Sequence, residues 1–130
     1  MCSRTFHLLS AATPTQVWGA LTCPVLSPRY LHGLSAQGSW ETDSEVLFTS
    51  AHGVELRGRV LWSEPPTRLS LTIEDSGDAC TYLTWELREA CGGTVVRLRV
   101  EESVAGATDE EELEEAWLPA LAALEAVLQG

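Results

Sequence analysis

Not one lysine occurs in this chain of 130 residues; all eight basic side chains are arginine. That absence excludes a lysine Schiff base, a pyridoxal-phosphate site built on lysine and a Walker-type phosphate loop. The cysteines, Cys2, Cys23, Cys80 and Cys91, form no C-x-x-C pair, and no histidine stands at zinc-finger distance from them. They read as reduced thiols, some of them small core residues, and neither a metal nor a cofactor is expected. No G-x-S-x-G elbow is present, so Ser–His–Asp hydrolysis lacks its usual sign. No apolar run approaches the ~18 residues a membrane span requires, and Met1 to Ser10 alternates instead of forming a leader-like apolar stretch. The reading is a soluble, cytoplasmic protein with no membrane partner. The net charge of −11 comes without a basic patch, which argues against a nucleic-acid partner. There is no internal repeat and no low-complexity linker.

What is present is enough for one core. Apolar residues make up 45% of the chain, and a chain of this length can bury roughly two thirds of its unfolded surface. Residues 1–130 are therefore expected to form a single domain.

The chain opens with a strand over residues 5–10, Phe6 and Leu8 sharing a face and His7 pointing outward. TPTQVW then starts a helix: Thr13 is the N-cap, Pro14 the first helical residue, and Gln16 closes a capping box. Val17, Trp18 and Leu21 form its apolar stripe, and Cys23-Pro24 ends it. A second short helix is predicted from about Val25 to Leu31, with Gly33 to Gly38 as a connector. After that, strands follow one another. Residues 45–50 alternate, His52-Gly53 turns, and residues 54–63 place Val54, Leu56, Gly58, Val60 and Trp62 on one face. Pro65-Pro66 turns again. Leu69, Leu71 and Ile73 face inward, Ser76-Gly77-Asp78 turns, and Leu83, Trp85 and Leu87 alternate with Tyr82, Thr84, Glu86 and Arg88. Cys91-Gly92-Gly93 leads into Thr94, Val96, Leu98 and Val100. Consecutive hairpins with this alternation mean an antiparallel meander with one wet face. Arg57, Arg59, Arg68, Arg88, Arg97 and Arg99, interleaved with glutamates, read as a charge ladder on that wet face.

The last segment is helical. Thr108 and Glu111 form a capping box, and Asp109 to Glu112 sit where the helix dipole favours anions. Leu113, Trp117, Ala120, Leu121, Leu124, Val127 and Leu128 fall on one stripe. Pro119 is expected to kink the helix or split it near Trp117.

Strand, two short helices, six or seven antiparallel strands and one long helix make an α+β helix-grip fold, a curved sheet wrapped around the terminal helix. The segments TPTQVWGALT (13–22), PPTRLSL (65–71), TWELR (84–88) and GGTVVRLRV (92–100), with Trp117 and the leucines after it, resemble the bacterial proteins related to the C-terminal domain of the activator of heat-shock-protein ATPase. These belong to the START-like (SRPBCC, birch-pollen-allergen-like) superfamily. The resemblance runs from about Phe6 to Leu128 and implies a deep pocket for a hydrophobic ligand, but no single reaction. Several relatives carry paired tryptophans after the second helix; this chain has Arg29-Tyr30-Leu31-His32-Gly33 there.

A strongly curved sheet leaves more volume than one helix fills, so large side chains or a ligand must occupy the rest. The five tryptophans suit such a volume. The predicted pocket lining is Tyr30, Trp40, Phe48, Leu56, Trp62, Leu71, Trp85, Trp117 and Leu121, with Tyr30 and Trp40 near the rim. His32 and Thr84 are candidate polar handles, and no catalytic residue is assigned. The function read from this pattern is binding of a small hydrophobic or aromatic ligand, by a monomer or homodimer. Two alternatives stand beside it. One is a polyketide cyclase- or hydrolase-like enzyme using Tyr30 and His32, with Thr84 or Ser50. The other is a chaperone-linked or regulatory interaction domain, by family analogy.

Overall fold

The computed structural model describes residues 2–31, 33–74, 80–103 and 110–129. The chain runs β1 (Cys2–Ser10), α1 (Pro14–Leu21), α2 (Ser27–Tyr30), β2 (Leu34–Gln37), β3 (Glu45–Ser50), β4 (Glu55–Glu64), β5 (Arg68–Glu74), β6 (Cys80–Ala90), β7 (Gly93–Ser103) and α3 (Glu110–Gln129). All seven strands join one antiparallel sheet in the order β1-β7-β6-β5-β4-β3-β2. The sheet curves into a half-barrel, and α3 packs against β1, α2 and α1. This is the helix-grip architecture.

Local chemistry explains most boundaries. The Thr13 hydroxyl accepts from the Gln16 amide at 3.2 Å, and the Gln16 side chain accepts from the Thr13 amide at 2.9 Å. The two bonds satisfy donors that a helix start leaves open. Hairpins close where glycine takes positive φ, at Gly53 (+86°) and Gly92 (+80°). The Ser50 hydroxyl accepts from the His52 and Val54 amides and holds the β3–β4 turn. On the convex face, Arg57 pairs with Glu45 at 3.0 Å, Arg97 with Glu86 at 3.8 Å and Arg99 with Glu101 at 2.9 Å. The first two pairs lie across neighbouring strands, and the third joins residues two apart on β7.

Several elements depart from the sequence reading, β1 among them, which begins at Cys2. The Gly33–Gly38 connector contains a strand, β2, whose four residues pair with β3. It is too short to show an alternation. The second helix is a single turn, Ser27–Tyr30. Val54 precedes β4 and is half exposed. A register shift between Val60 and Trp62 sets Val60 opposite Leu71 but Trp62 opposite Ser70. The bulge turns every following residue over, so Trp62 lies on the outer face at 51% exposure. There it meets the Arg68 guanidinium at 5.8 Å and donates to Glu64 at 3.2 Å. Finally, α3 runs unbroken through Pro119. The carbonyl that Pro119 leaves without a donor belongs to Glu115; both residues are exposed, so water can replace the bond. The buried side chains of Trp117, Ala120, Leu121 and Leu124 anchor the helix on either side. The turn at 76–78, the capping box of Thr108 with Glu111 and the Leu113 side chain lie outside the described residues.

At Gly58 the backbone of β4 runs close against β5. A side chain there would run into the Thr72 carbonyl oxygen and stand 2.9 Å from the Phe48 ring. Next to it, the Arg59 amide donates at 3.0 Å to the Thr72 hydroxyl. Gly58→Ala is expected to lower stability by about 3 kcal/mol through overpacking, measured by denaturant unfolding; a loss within experimental error would mean that β4 and β5 are not in this close contact.

Candidate functional site

Reading inward-facing residues across the sheet gives a series of rungs. Leu69 pairs with Trp85 and Trp85 with Leu98; one rung on, Leu71 pairs with Leu83 and Leu83 with Val100. All six are buried. The next rung is Ile73, Thr81 and Glu102, in register across β5, β6 and β7. Its side chains are only partly covered, and the packing opens into a cavity of about 350 Å³. Leu56 of β4 extends the sheet side. Ala116 and Trp117 of α3 form the opposite wall, and Leu31 and Leu34 close the flank after α2. The cavity is apolar apart from Thr81 and Glu102, a cross-strand pair.

Of the predicted lining residues, Leu56 and Trp117 border this cavity. Phe48, Leu71, Trp85 and Leu121 belong to the packed core at 0 to 5% exposure. They fill the closed end of the grip. Trp40 lies elsewhere, half-buried in a groove of about 510 Å³ with Trp18, Glu41 and Pro65. Trp62 is on the outer face, as the bulge dictates. Thr84 is too: its position between inward Leu83 and Trp85 turns it outward, where its hydroxyl bonds with that of Ser70 at 3.1 Å. It is not a handle in the cavity. His32 lies outside the described residues.

Tyr30 is not at the rim. It is 2% exposed, and its ring stands edge-on to Trp85 with centroids 6.1 Å apart. Its hydroxyl donates to the Leu21 carbonyl at 2.5 Å, with the Ala20 carbonyl at 3.4 Å. These are carbonyls that the end of α1 leaves without helical partners, so Tyr30 caps a buried helix end. Burial raises its pKa strongly, and the charge of the nearby Cys23 adds to the effect. The phenol therefore stays a donor.

Of the residues lining the cavity, the sequence reading did not assign Leu31, Leu34, Ile73, Thr81, Glu102 or Ala116 to it, and Glu102 is the one that carries a charge. Val96, Leu98 and Val100 point inward, and the same alternation carried two residues further selects Glu102. Thr81 follows from Leu83 in the same way. Among the described residues, Glu102 is the only titratable side chain lining the cavity, and no group of three metal-ligating side chains occurs. Cys23 and Cys80 are half-buried free thiols and Cys91 an exposed one. No helix of the described residues is long and apolar enough to cross a membrane.

A half-barrel that grips a C-terminal helix and keeps a cavity between them defines the START-like class. Residues 11–129 match the family described as Activator of Hsp90 ATPase homolog 1-like protein, and the chain belongs to that family. No curated protein matches it in sequence. Among solved structures, the protein MLL2253 from Mesorhizobium loti superposes with a TM-score of 0.83 at 19% identity, over 98% of this chain and 96% of that one. A protein from Rhodobacter sphaeroides gives 0.73 at 28% identity, over 98% and 92%. CalU16 from Micromonospora echinospora gives 0.73 at 23%, over 97% and 75%.

Two substitutions separate packing from site. Trp117 is 4% exposed, so Trp117→Ala should cost about 3–5 kcal/mol in chemical unfolding; a loss under about 1 kcal/mol would mean that the ring borders open space without filling any. Tyr30→Phe leaves buried carbonyls without a donor, at about 1–3 kcal/mol. The sign with pH also follows. The folded-state pKa of Tyr30 lies above the unfolded value of 10.0, so its contribution is complete below pH 10 and declines as pH rises beyond it. Tyr82 is also raised, first through its hydrogen bond with Cys80, so wild type must be compared with Tyr30→Phe across one pH series. The variant should lose less stability above pH 10; parallel curves would contradict the assignment.

Proposed function

We propose that the protein binds a small hydrophobic or aromatic molecule in the cavity between the sheet and α3. The observation that carries this reading is the abrupt change from one rung to the next. Leu71, Leu83 and Val100 are sealed, while Ile73, Thr81 and Glu102 border about 350 Å³ of open volume under Trp117. That volume falls within the roughly 300–1,000 Å³ of small-molecule sites, and a mostly apolar wall with a few polar groups is their usual make-up. Three candidates of the cyclase- or hydrolase-like alternative are occupied elsewhere: Tyr30 is engaged with α1, Thr84 faces away and Ser50 holds a turn; the fourth, His32, lies outside the described residues. The interaction-domain alternative keeps family analogy as its support.

The test is titration with N-phenyl-1-naphthylamine, an uncharged probe that brightens on leaving water. Saturable one-to-one binding is expected. Ala116→Trp places an indole at the mouth from an exposed helix position; it should weaken binding about tenfold, a change of about 1.4 kcal/mol, and leave the melting temperature unchanged. Absence of saturable binding to wild type, or equal binding to the variant, would overturn the proposal.

A further inference from the structure

We infer that the ligand carries a cationic amine on its apolar body, and that Glu102 is the residue that selects it. This rests on the cavity being a binding site and adds the ligand's chemical class. Glu102 stands on the inner wall of β7, beside Thr81 of β6, at the edge of a surface otherwise built from carbon. Its side chain is only partly covered, so water solvates the carboxylate in the free protein, and a ligand that displaces this water must supply a donor in its place. Among the described residues no ion pair supplies one: the salt bridges engage Arg4, Arg57, Arg97 and Arg99 with other glutamates. Arg4 is the arginine that strand parity brings to the same face, opposite Val100, and its guanidinium lies 3.1 Å from Glu114 of α3. No arginine, histidine or lysine is among the described residues lining the cavity.

The surroundings carry the same sign. Glu115 lies on α3 just before the Ala116–Trp117 wall, Glu114 is balanced by Arg4, and the whole chain carries −11. Such a field concentrates cations and repels anions. A fatty acid or other carboxylate would place like charge against Glu102, whereas an ammonium group would form a charge-assisted hydrogen bond. Thr81 offers a hydroxyl beside it as a second polar contact. Trp117 presents an aromatic surface on the facing wall, suited to the ligand's flat apolar part. The partner class is an aromatic or cyclic aliphatic amine, protonated at neutral pH and small enough for the cavity.

Three probes with one ring system and different head groups test this by calorimetry: 1-naphthylmethylamine, 1-naphthalenemethanol and 1-naphthoic acid. The amine should bind about tenfold tighter than the alcohol, as one charge-assisted hydrogen bond provides, and the acid should bind weakest. Glu102→Gln should bring amine and alcohol to similar affinity and improve the acid. In wild type, added sodium chloride should weaken the amine and spare the alcohol, a readout independent of whether the variant folds. Equal affinity for all three head groups, or an order that persists in Glu102→Gln, would overturn the inference. If N-phenyl-1-naphthylamine binds while the three probes show no head-group order, this inference fails alone; if none of the four binds, the underlying pocket reading fails with it.

Discussion

The structure depends on one convergence. The apolar stripe of α3, with Trp117, Ala120, Leu121 and Leu124, meets the inward rows of β5, β6 and β7 in a single buried cluster that also takes in Phe6, Val17, Tyr30 and Phe48. Neither partner holds its shape alone. An amphipathic helix needs an apolar surface to cover its stripe, and a curved sheet with one greasy face needs a lid. Pairing of β1 with β7 over nine residues joins the N-terminal strand to the strand that precedes the helix. The Arg4–Glu114 pair then ties β1 to α3 at the surface, though exposed pairs of this kind contribute little.

The same convergence explains why the cavity lies at one end. Bulk is distributed unevenly along the grip. Tyr30, Phe48 and Trp85 are all buried in it, Tyr30 edge-on to Trp85, and they fill the space between helix and sheet. One rung beyond Leu71, Leu83 and Val100 the sheet contributes Ile73, Thr81 and Glu102, of which the last two are polar. Interiors pack closely by default, so a stretch where threonine and glutamate replace leucine and valine on the inner face gives up packing. The helix does not make good the difference there, because its residue beside Trp117 is Ala116.

Much of this was legible in the sequence because the governing periodicities are simple. The alternations in β5 to β7 and the stripe of α3 have one dominant period each, and the Thr13–Gln16 capping box is a local pattern with a local cause. What escaped has physical reasons. The bulge at Val60–Trp62 inserts one residue into a continuous apolar run, so parity gave Trp62 the wrong face. Strand β2 has four residues and takes its pairing from β3, information that lies elsewhere in the chain. Tyr30 is expected near the rim, but its hydroxyl finds the Leu21 carbonyl inside; a buried partner for a phenol cannot be seen from spacing. Thr84, expected as a polar handle, faces outward as its place between Leu83 and Trp85 requires. Glu102 follows from the alternation of Val96, Leu98 and Val100, but the apolar row that marks the inner face ends at Val100, and a charged residue beyond it carries no inward signal of its own.

Fold and specificity are set by different residues here. MLL2253 keeps the architecture at 19% identity, which is possible because the fold asks chiefly for inward apolar side chains of about the right volume, a hairpin turn at each strand end and a striped final helix. Those demands leave the side chains around the cavity mouth loosely constrained. Ile73, Thr81, Glu102 and Ala116 can change without unsealing the rungs behind them, whereas Leu71, Leu83 and Val100 cannot. The proposed ligand chemistry therefore rests on the handful of positions where the sheet stops being core, and for that proposal a carboxylate at one of them carries more weight than the shared fold does.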